Sequence, residues 1–145
     1  MLIGISKLLT GDLLKVLCDM GHGDVLVIAD ANFPAETMGK RVIRYPGIDA
    51  VALLKEIASV FPLDHVVENP CCVMEVEIKD KERGLGVPKI FEEFESVLKE
   101  SYGEKGIVSH ISRQEFYRQS QEAYVVIQTG EERLYGNLML VKGTV

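Results

Sequence analysis

The stretch "MGHGDVLVIADANFPAETMG", residues 20–39, decides the fold of this chain. Its centre, "DVLVIAD" (24–30), is a continuous apolar run rich in β-branched residues, which is typical of a strand covered on both faces. His22 stands between two glycines just before the run, and Asp30 ends it. The stretch therefore predicts a buried strand with a polar side chain at each end.

Helices and strands alternate on both sides of this strand. Thr10 and Asp49 can cap two helices with apolar residues at helical spacing, and Pro88 can begin a third. Ser112 and Glu115 have the spacing of a capping box for a fourth helix. The alternation predicts an α/β fold, a three-layer α/β/α arrangement with a mixed, mainly parallel sheet of about six strands.

The other strands are predicted from shorter apolar runs, at residues 42–44, 72–78, 106–111, 123–129 and 137–143. The run 72–78 alternates apolar residues with glutamates, which indicates one wetter face. The short link between the last two runs allows them to pair as an antiparallel hairpin. Residues 31–40 and 79–86 are predicted to be loops because of their Gly, Pro and charged residues.

Composition restricts the class of protein. The 145 residues fit one domain, 1–145, and the net charge is −6. An acidic chain argues against a broad nucleic-acid or anionic-membrane surface, since both need basic residues. No run approaches the ~20 apolar residues of a membrane-spanning helix, and the amino-terminal residues do not form a signal peptide. We therefore expect neither nucleic acid nor membrane as a partner.

The three cysteines do not form a known motif. Cys18, Cys71 and Cys72 are odd in number and lack C-x-x-C or zinc-finger spacing. Cys18 is predicted on the apolar side of the first helix, and the other two open an apolar strand. We expect buried, reduced thiols and a cytoplasmic location, with a redox pair as the alternative.

The sequence also lacks the usual cofactor motifs. There is no G-x-x-x-x-G-K-[ST] loop, no G-x-G-x-x-G after the first strand, no G-x-S-x-G and no H-E-x-x-H. These absences disfavour a nucleotide-binding domain and a metal enzyme, and we expect no cofactor and no metal. Chemistry is then expected from polar residues at the ends of strands and helices.

Several such residues have both a chemical and a structural interpretation. His22 can act as a general acid near neutral pH, or it can simply cap a glycine turn. Asp30 can bind hydroxyl groups with fixed geometry, or begin an Asx turn. Arg113 can bind a ligand or lie on the surface. The tripeptide 135–137 offers a phenol, a flexible backbone and an amide, or forms a hairpin turn.

Four segments together resemble a known family. They are "LLKVLCDMGHGDVLVIADANFPA" (13–35), "MGKRVIRYPG" (38–47), "ISRQEFY" (111–117) and "TGEERLYGNLMLVKG" (129–143). In order and spacing they resemble the ribose pyranase/fucose mutarotase family, and its fucose mutarotase branch best. Asn32 departs from the pattern, because relatives often carry histidine there.

The resemblance implies a role for each matching position. His22 matches the catalytic proton donor and Asp30 a sugar-binding aspartate. Arg113 matches a sugar-binding position that is arginine in the fucose branch and histidine in the ribose branch. The C-terminal sugar-binding residues of the fucose branch match Tyr135, Gly136 and Asn137.

The resemblance further implies an isomerase that interconverts the α and β anomers of a free monosaccharide, L-fucose or a related hexose, without a cofactor. It implies an α/β fold assembled as a homodecameric ring, with sites at subunit boundaries. The alternatives are a D-ribose pyranase-type pyranose/furanose isomerase and a non-catalytic sugar-binding transport accessory protein.

One geometric condition follows from the opening stretch. Eight residues of extended strand span about 26 Å, far more than the length of a hexose. Either the chain bends near Gly23 and Ala31, or His22 and Asp30 reach one sugar from different subunits.

Overall fold

The structure is a computed structural model that describes residues 2–145. Over this range the helices are α1 (Gly11–Asp19), α2 (Ala35–Met38), α3 (Ala50–Ala58), α4 (Ile78–Glu82), α5 (Lys89–Tyr102) and α6 (Arg113–Glu122). A 3-10 helix, Gly103–Gly106, follows α5. The strands are β1 (Val25–Ala29), β2 (Val42–Tyr45), β3 (Cys71–Met74), β4 (Ser109–Ile111), β5 (Val125–Thr129) and β6 (Leu138–Val141).

The strands form one six-stranded sheet in the order β2-β5-β1-β6-β3-β4. Five strands run in one direction, and only β6, between β1 and β3, runs against them. One edge of the sheet therefore carries the carboxyl ends of five strands and the amino end of β6. We call it the carboxyl edge and the opposite one the amino edge.

Helices cover the sheet on both faces. Leu26, Val27 and Ile28 of β1 are completely buried. Successive side chains of a strand point to opposite faces, so both faces of β1 must be covered. Two groups of helices, α3 with α5 and α2 with α6, pack against the sheet. The predicted three-layer α/β/α fold with a mixed, mainly parallel sheet is confirmed.

The predicted helix starts are also confirmed by their caps. The side chain of Thr10 accepts the backbone N–H of Leu13, and that of Asp49 accepts the N–H of Ala52 at 2.8 Å. The Ser112 hydroxyl accepts the N–H of Glu115 at 3.2 Å. Each cap satisfies a backbone donor that the first turn leaves without a partner, so the sequence determines where these helices begin.

The predicted hairpin of the last two strands is wrong. β5 and β6 lie on opposite sides of β1, which pairs parallel with β5 and antiparallel with β6. A completely buried strand needs partners for its backbone groups on both sides, and β1 obtains them by lying between the two. The sheet is nevertheless mixed, as predicted.

Four local predictions also require correction. The strand predicted at 72–78 ends at Met74, because Glu77 leaves the sheet to bond with side chains of other elements. The loops predicted at 31–40 and 79–86 contain the short helices α2 and α4. Cys18 is exposed, because α1 buries Leu13 and Leu17 instead.

Among residues 2–145, no helix is long and apolar enough to cross a membrane.

Candidate active site

Four of the predicted site residues meet at the carboxyl edge of the sheet. Asp30 follows β1, and Arg113 begins α6 directly after β4. Asn137 precedes β6 and reaches the same edge because β6 is reversed. With Tyr135 they line a cavity of about 230 Å³. Pockets for drug-sized ligands measure roughly 300–1,000 Å³, so this cavity fits a small molecule.

Asp30 is fixed by its neighbours on two sides. The Asn137 amide donates to Asp30 Oδ2 at 2.7 Å, and its oxygen accepts the Asp30 N–H at 2.9 Å. The Asn32 N–H donates to Asp30 Oδ1 at 2.9 Å, which completes an Asx turn. Burial raises the pKa of Asp30, and the Asn137 amide opposes that shift. The Asx-turn interpretation of Asp30 is therefore confirmed, and the turn still leaves the carboxylate acceptor positions at the cavity.

Arg113 is oriented by an acidic and an aromatic partner. Its guanidinium donates to Glu77 Oε2 at 2.7 Å and to the Tyr117 hydroxyl at 3.1 Å. It also lies 5.2 Å from the centre of the Tyr117 ring. The hydrogen bond with Glu77 raises the pKa of Arg113 and lowers that of Glu77. The pair holds a permanent cation beside the cavity, with donors that can bind hydroxyl oxygens.

Tyr135 adopts an unusual backbone conformation at the cavity wall. Its φ is 64°, a region in which residues other than glycine are strained by about 1–3 kcal/mol. Its hydroxyl donates to Asp80 Oδ2 at 2.5 Å and accepts the Glu77 N–H at 3.1 Å. Burial and the bond to Asp80 raise the pKa of Tyr135. The phenol thus keeps its proton and attaches the segment around α4 to the cavity.

Gly136 permits a close approach between chain segments. A Cβ at this position would lie 2.6 Å from Glu131 Cγ and 3.3 Å from Asp30 Cβ. The first distance is far below ordinary contact and the second slightly below it, so a side chain here would force a shift between the tripeptide and Glu131. Gly136 has no side chain to offer a ligand, and any contact it makes with one is through its backbone.

His22 lies at the amino edge, away from the other five residues. The neighbouring Gly23 N–H donates to the carbonyl of Lys142, which follows the end of β6. The His22 ring bonds Asp64 Oδ2 at 2.5 Å, and half of its side chain is exposed. It lines a separate, largely apolar cavity of about 420 Å³.

No bend brings His22 and Asp30 together. β1 pairs with β5 without interruption from Leu26 to Ala29, and its ladder with β6 is equally regular. Asp30 bonds Asn137 at the start of β6, whereas His22 stands beside the far end of that strand. Of the two arrangements allowed by the sequence, contact within one bent subunit has no support in this geometry.

Residues 3–145 match the family model described as the RbsD / FucU transport protein family. The chain belongs to this family. The predicted resemblance is thereby confirmed over nearly the whole sequence.

Among residues 2–145, no group of three or more His, Cys, Asp or Glu is arranged to hold a metal ion.

Several relatives that match nearly the whole chain are named fucose mutarotase or L-fucose mutarotase. The chain is 44% identical over 144 residues to the fucose mutarotase of Mus musculus, covering 97% of this chain and 93% of that protein. It is 38% identical to the L-fucose mutarotase of Actinobacillus pleuropneumoniae, covering 99% and 96%. The crystal structure of the Streptococcus pneumoniae fucose mutarotase in complex with L-fucose superimposes with a TM-score of 0.91 at 35% identity, covering 99% of both chains.

Several polar residues near these sites were not singled out in the sequence. Tyr117 follows Arg113 by one helical turn, and that spacing could have identified it. Glu77 and Asp80 lie in a segment predicted as strand and loop, and no pattern around them indicates a place at the cavity. Asp64 is completely buried in the chain between α3 and β3, where no motif marks it.

Proposed function

We propose that this protein is a cofactor-independent mutarotase that interconverts the α and β anomers of L-fucose or a related hexose. The observation that carries the proposal is the cavity of Asp30, Arg113 and Asn137, built from a carboxylate, a guanidinium and an amide. The carboxylate can accept hydrogen bonds from sugar hydroxyls and the guanidinium can donate to them, while the amide holds the carboxylate in place. Relatives at 38–44% identity over nearly the full chain are fucose mutarotases, which supports the same activity here.

The reaction needs only proton transfer. One group protonates the ring oxygen while another removes the proton from the anomeric hydroxyl, and the bond between the anomeric carbon and the ring oxygen breaks. The resulting aldehyde rotates about the next carbon–carbon bond and closes again with the opposite configuration. General acid–base catalysis contributes roughly 10²–10⁴-fold to such steps. No atom is gained or lost, so the protein supplies positioned donors and acceptors.

We assign the proton at the ring oxygen to His22. Asp30 and Arg113 would bind sugar hydroxyls, and Asn137 would hold Asp30 in place. The sequence left water or Tyr135 as the second acid–base group. The Tyr135 hydroxyl is occupied by Asp80 and Glu77, which favours water or the Tyr117 hydroxyl, whose oxygen accepts a hydrogen bond from Arg113.

We further propose that the catalytic site forms between subunits. His22 stands at the amino edge and Asp30 at the carboxyl edge, so a second copy must bring its His22 to the sugar cavity of the first. A closed homo-oligomer, with a decameric ring as our specific proposal, would supply every cavity with a histidine. A cytoplasmic location agrees with the three free thiols.

Exchange NMR tests the function directly. The purified protein is added to L-fucose at anomeric equilibrium, and exchange cross-peaks between the two anomeric protons are measured. We expect exchange that depends on the protein, is lost in His22→Ala and is retained in His65→Ala, a control with an exposed ring. If the protein bound L-fucose, another hexose or D-ribose without accelerating anomeric exchange of any of them, it would instead be a non-catalytic sugar-binding protein.

A further inference from the structure

Asp80 is a carboxylate of the sugar cavity that the proposed reaction has not used. It belongs to α4 and lines the cavity together with Asp30, Arg113 and Tyr135. Because α4 buries none of its residues, Asp80 is not part of the packed core. Only about a quarter of its side chain is exposed. The hydrogen bonds of its two oxygens therefore indicate what this carboxylate does.

The two oxygens of Asp80 differ in their partners. Oδ2 accepts the hydroxyl of Tyr135, which in turn accepts the backbone N–H of Glu77 at 3.1 Å. Oδ1 has no hydrogen-bond partner within the part of the chain that the structure describes. The exposed guanidinium of Arg83 lies 3.9 Å from Oδ1, which is too far for a hydrogen bond. Oδ1 is therefore an open acceptor.

The other charged groups of the cavity already have partners within the protein. Asp30 accepts one hydrogen bond at each of its oxygens. The guanidinium of Arg113 is paired with Glu77 at 2.7 Å. Asp80 Oδ1 thus keeps its full capacity for hydroxyl donors, since a carboxylate oxygen can accept two hydrogen bonds. A sugar offers several hydroxyls within a small volume, and a second carboxylate can bind one that Asp30 does not.

We infer that Asp80 is a second sugar-binding carboxylate, whose Oδ1 accepts a hydrogen bond from one hydroxyl of the sugar while Oδ2 stays bonded to Tyr135. The inference rests on the proposed function, which places a sugar in this cavity. It adds a contact from α4 to those from the carboxyl edge of the sheet. The role of Asp80 is binding and not proton transfer, so its loss should change the affinity for the sugar.

Asp80→Asn removes the open acceptor and keeps the bond to Tyr135. Because the Tyr135 hydroxyl accepts the Glu77 N–H, its own hydrogen points to position 80 and selects the amide oxygen there. The amide NH₂ group then takes the place of Oδ1, and it can only donate. The matched control is Glu82→Gln, which removes a negative charge from an exposed position of α4 that does not line the cavity.

The experiment measures the dissociation constant Kd by calorimetry, for L-fucose and for analogues that each lack one of its hydroxyls. Asp80→Asn should raise Kd for L-fucose about tenfold, since a hydrogen bond to a charged group is about twice as strong as a neutral one. The analogue without the hydroxyl that donates to Asp80 should bind both proteins equally. The other analogues should keep the tenfold ratio, and Glu82→Gln should leave every Kd unchanged.

A second pair of variants tests for an indirect effect through the phenol. If Asp80 acted only by holding the Tyr135 hydroxyl, its loss would change nothing once that hydroxyl is gone. In the Tyr135→Phe protein, Asp80→Ala removes the carboxylate without breaking a bond to residue 135. We expect Kd for L-fucose to rise by a further factor of about ten or more, because a hydrogen bond to a charged group is lost.

Three results would overturn the inference. They are an unchanged Kd in Asp80→Asn that circular dichroism shows to be folded, the same rise in Kd for L-fucose and every analogue, and no effect of Asp80→Ala in the Tyr135→Phe protein. Failure of the proposed catalysis is distinguishable, because it is measured by anomeric exchange. A protein that binds L-fucose without exchange would lose the proposed activity and keep the contact with Asp80. A protein that does not bind L-fucose would contradict both.

Discussion

Mixing two inactive variants should restore activity if the catalytic site spans two subunits. His22→Ala keeps the cavity and lacks the proposed proton donor, whereas Asp30→Ala keeps that donor and lacks a proposed sugar contact. Each variant alone should be inactive. Because the two residues lie at opposite edges of the sheet, a mixed oligomer can pair an intact cavity with an intact histidine.

The expected activity of the mixture follows from the placement of His22 and Asp30 at opposite edges of the sheet. In a random equal mixture, half of the cavities have Asp30, and half of those face a subunit with His22. About one quarter of all sites are therefore complete, so activity should reach about 25% of the unmodified protein. At other ratios it should follow the product of the two fractions, with its maximum at equal mixing.

The assay is exchange NMR on L-fucose after the two variants are unfolded and refolded together. Circular dichroism and size-exclusion chromatography verify that each variant folds and assembles. The control mixture is Asp30→Ala with Arg113→Ala. Both residues line the same cavity of one subunit, so that mixture should contain no complete site. An inactive mixture of His22→Ala and Asp30→Ala in fully exchanged oligomers would refute the shared site.

Three further outcomes are expected. Asn137→Ala removes two hydrogen bonds to Asp30 and should lower the free energy of unfolding by about 2–4 kcal/mol in urea titrations at fixed protein concentration. The control Asn69→Ala, at an exposed position, should change the free energy of unfolding by less than about 0.5 kcal/mol. Equal losses in Asn137→Ala and Asn69→Ala would contradict the role of Asn137. Affinity for L-fucose should fall as the pH is lowered through the pKa of Asp30, which burial raises, because protonation removes an acceptor. Calorimetry on Asp30→Asn should show no such fall, and a persistent one would point to another group. Gly136→Ala places a Cβ 2.6 Å from a side-chain carbon and should lower the free energy of unfolding by about 1–3 kcal/mol. In Gly86→Ala the new Cβ has no atom within 4 Å, so this control should not show that loss.

The sequence predicted those parts of the fold that depend on local physics. The caps at Thr10, Asp49 and Ser112 and the buried strand β1 are set by neighbouring residues, and they lie where they were predicted. The position of β6 depends instead on which strand satisfies the backbone of β1, a question that local patterns cannot answer. The short helix α4 buries none of its residues, so no apolar periodicity marked it.

The same distinction applies to the candidate site. Asp30 and Asn137 were selected from their places at strand ends, and the structure adds the two hydrogen bonds that join them across 107 positions of sequence. Glu77 and Asp80 could not be selected, because their partners Arg113 and Tyr135 are distant in sequence. Long-range pairing of polar groups has no signature in a single sequence.

The reversed strand β6 has a consequence for stoichiometry. Its amino end fixes the sugar cavity and its carboxyl end lies beside His22, so a strand of four residues sets a constant spacing between the two half-sites of every subunit. In the proposed shared site, each copy thus contributes one histidine to a neighbour and receives one. Any closed assembly has as many complete sites as subunits, whatever its number of members. An open linear assembly would leave one histidine and one cavity unpaired at its ends. Turnover per subunit would then depend on the number of subunits in the assembly.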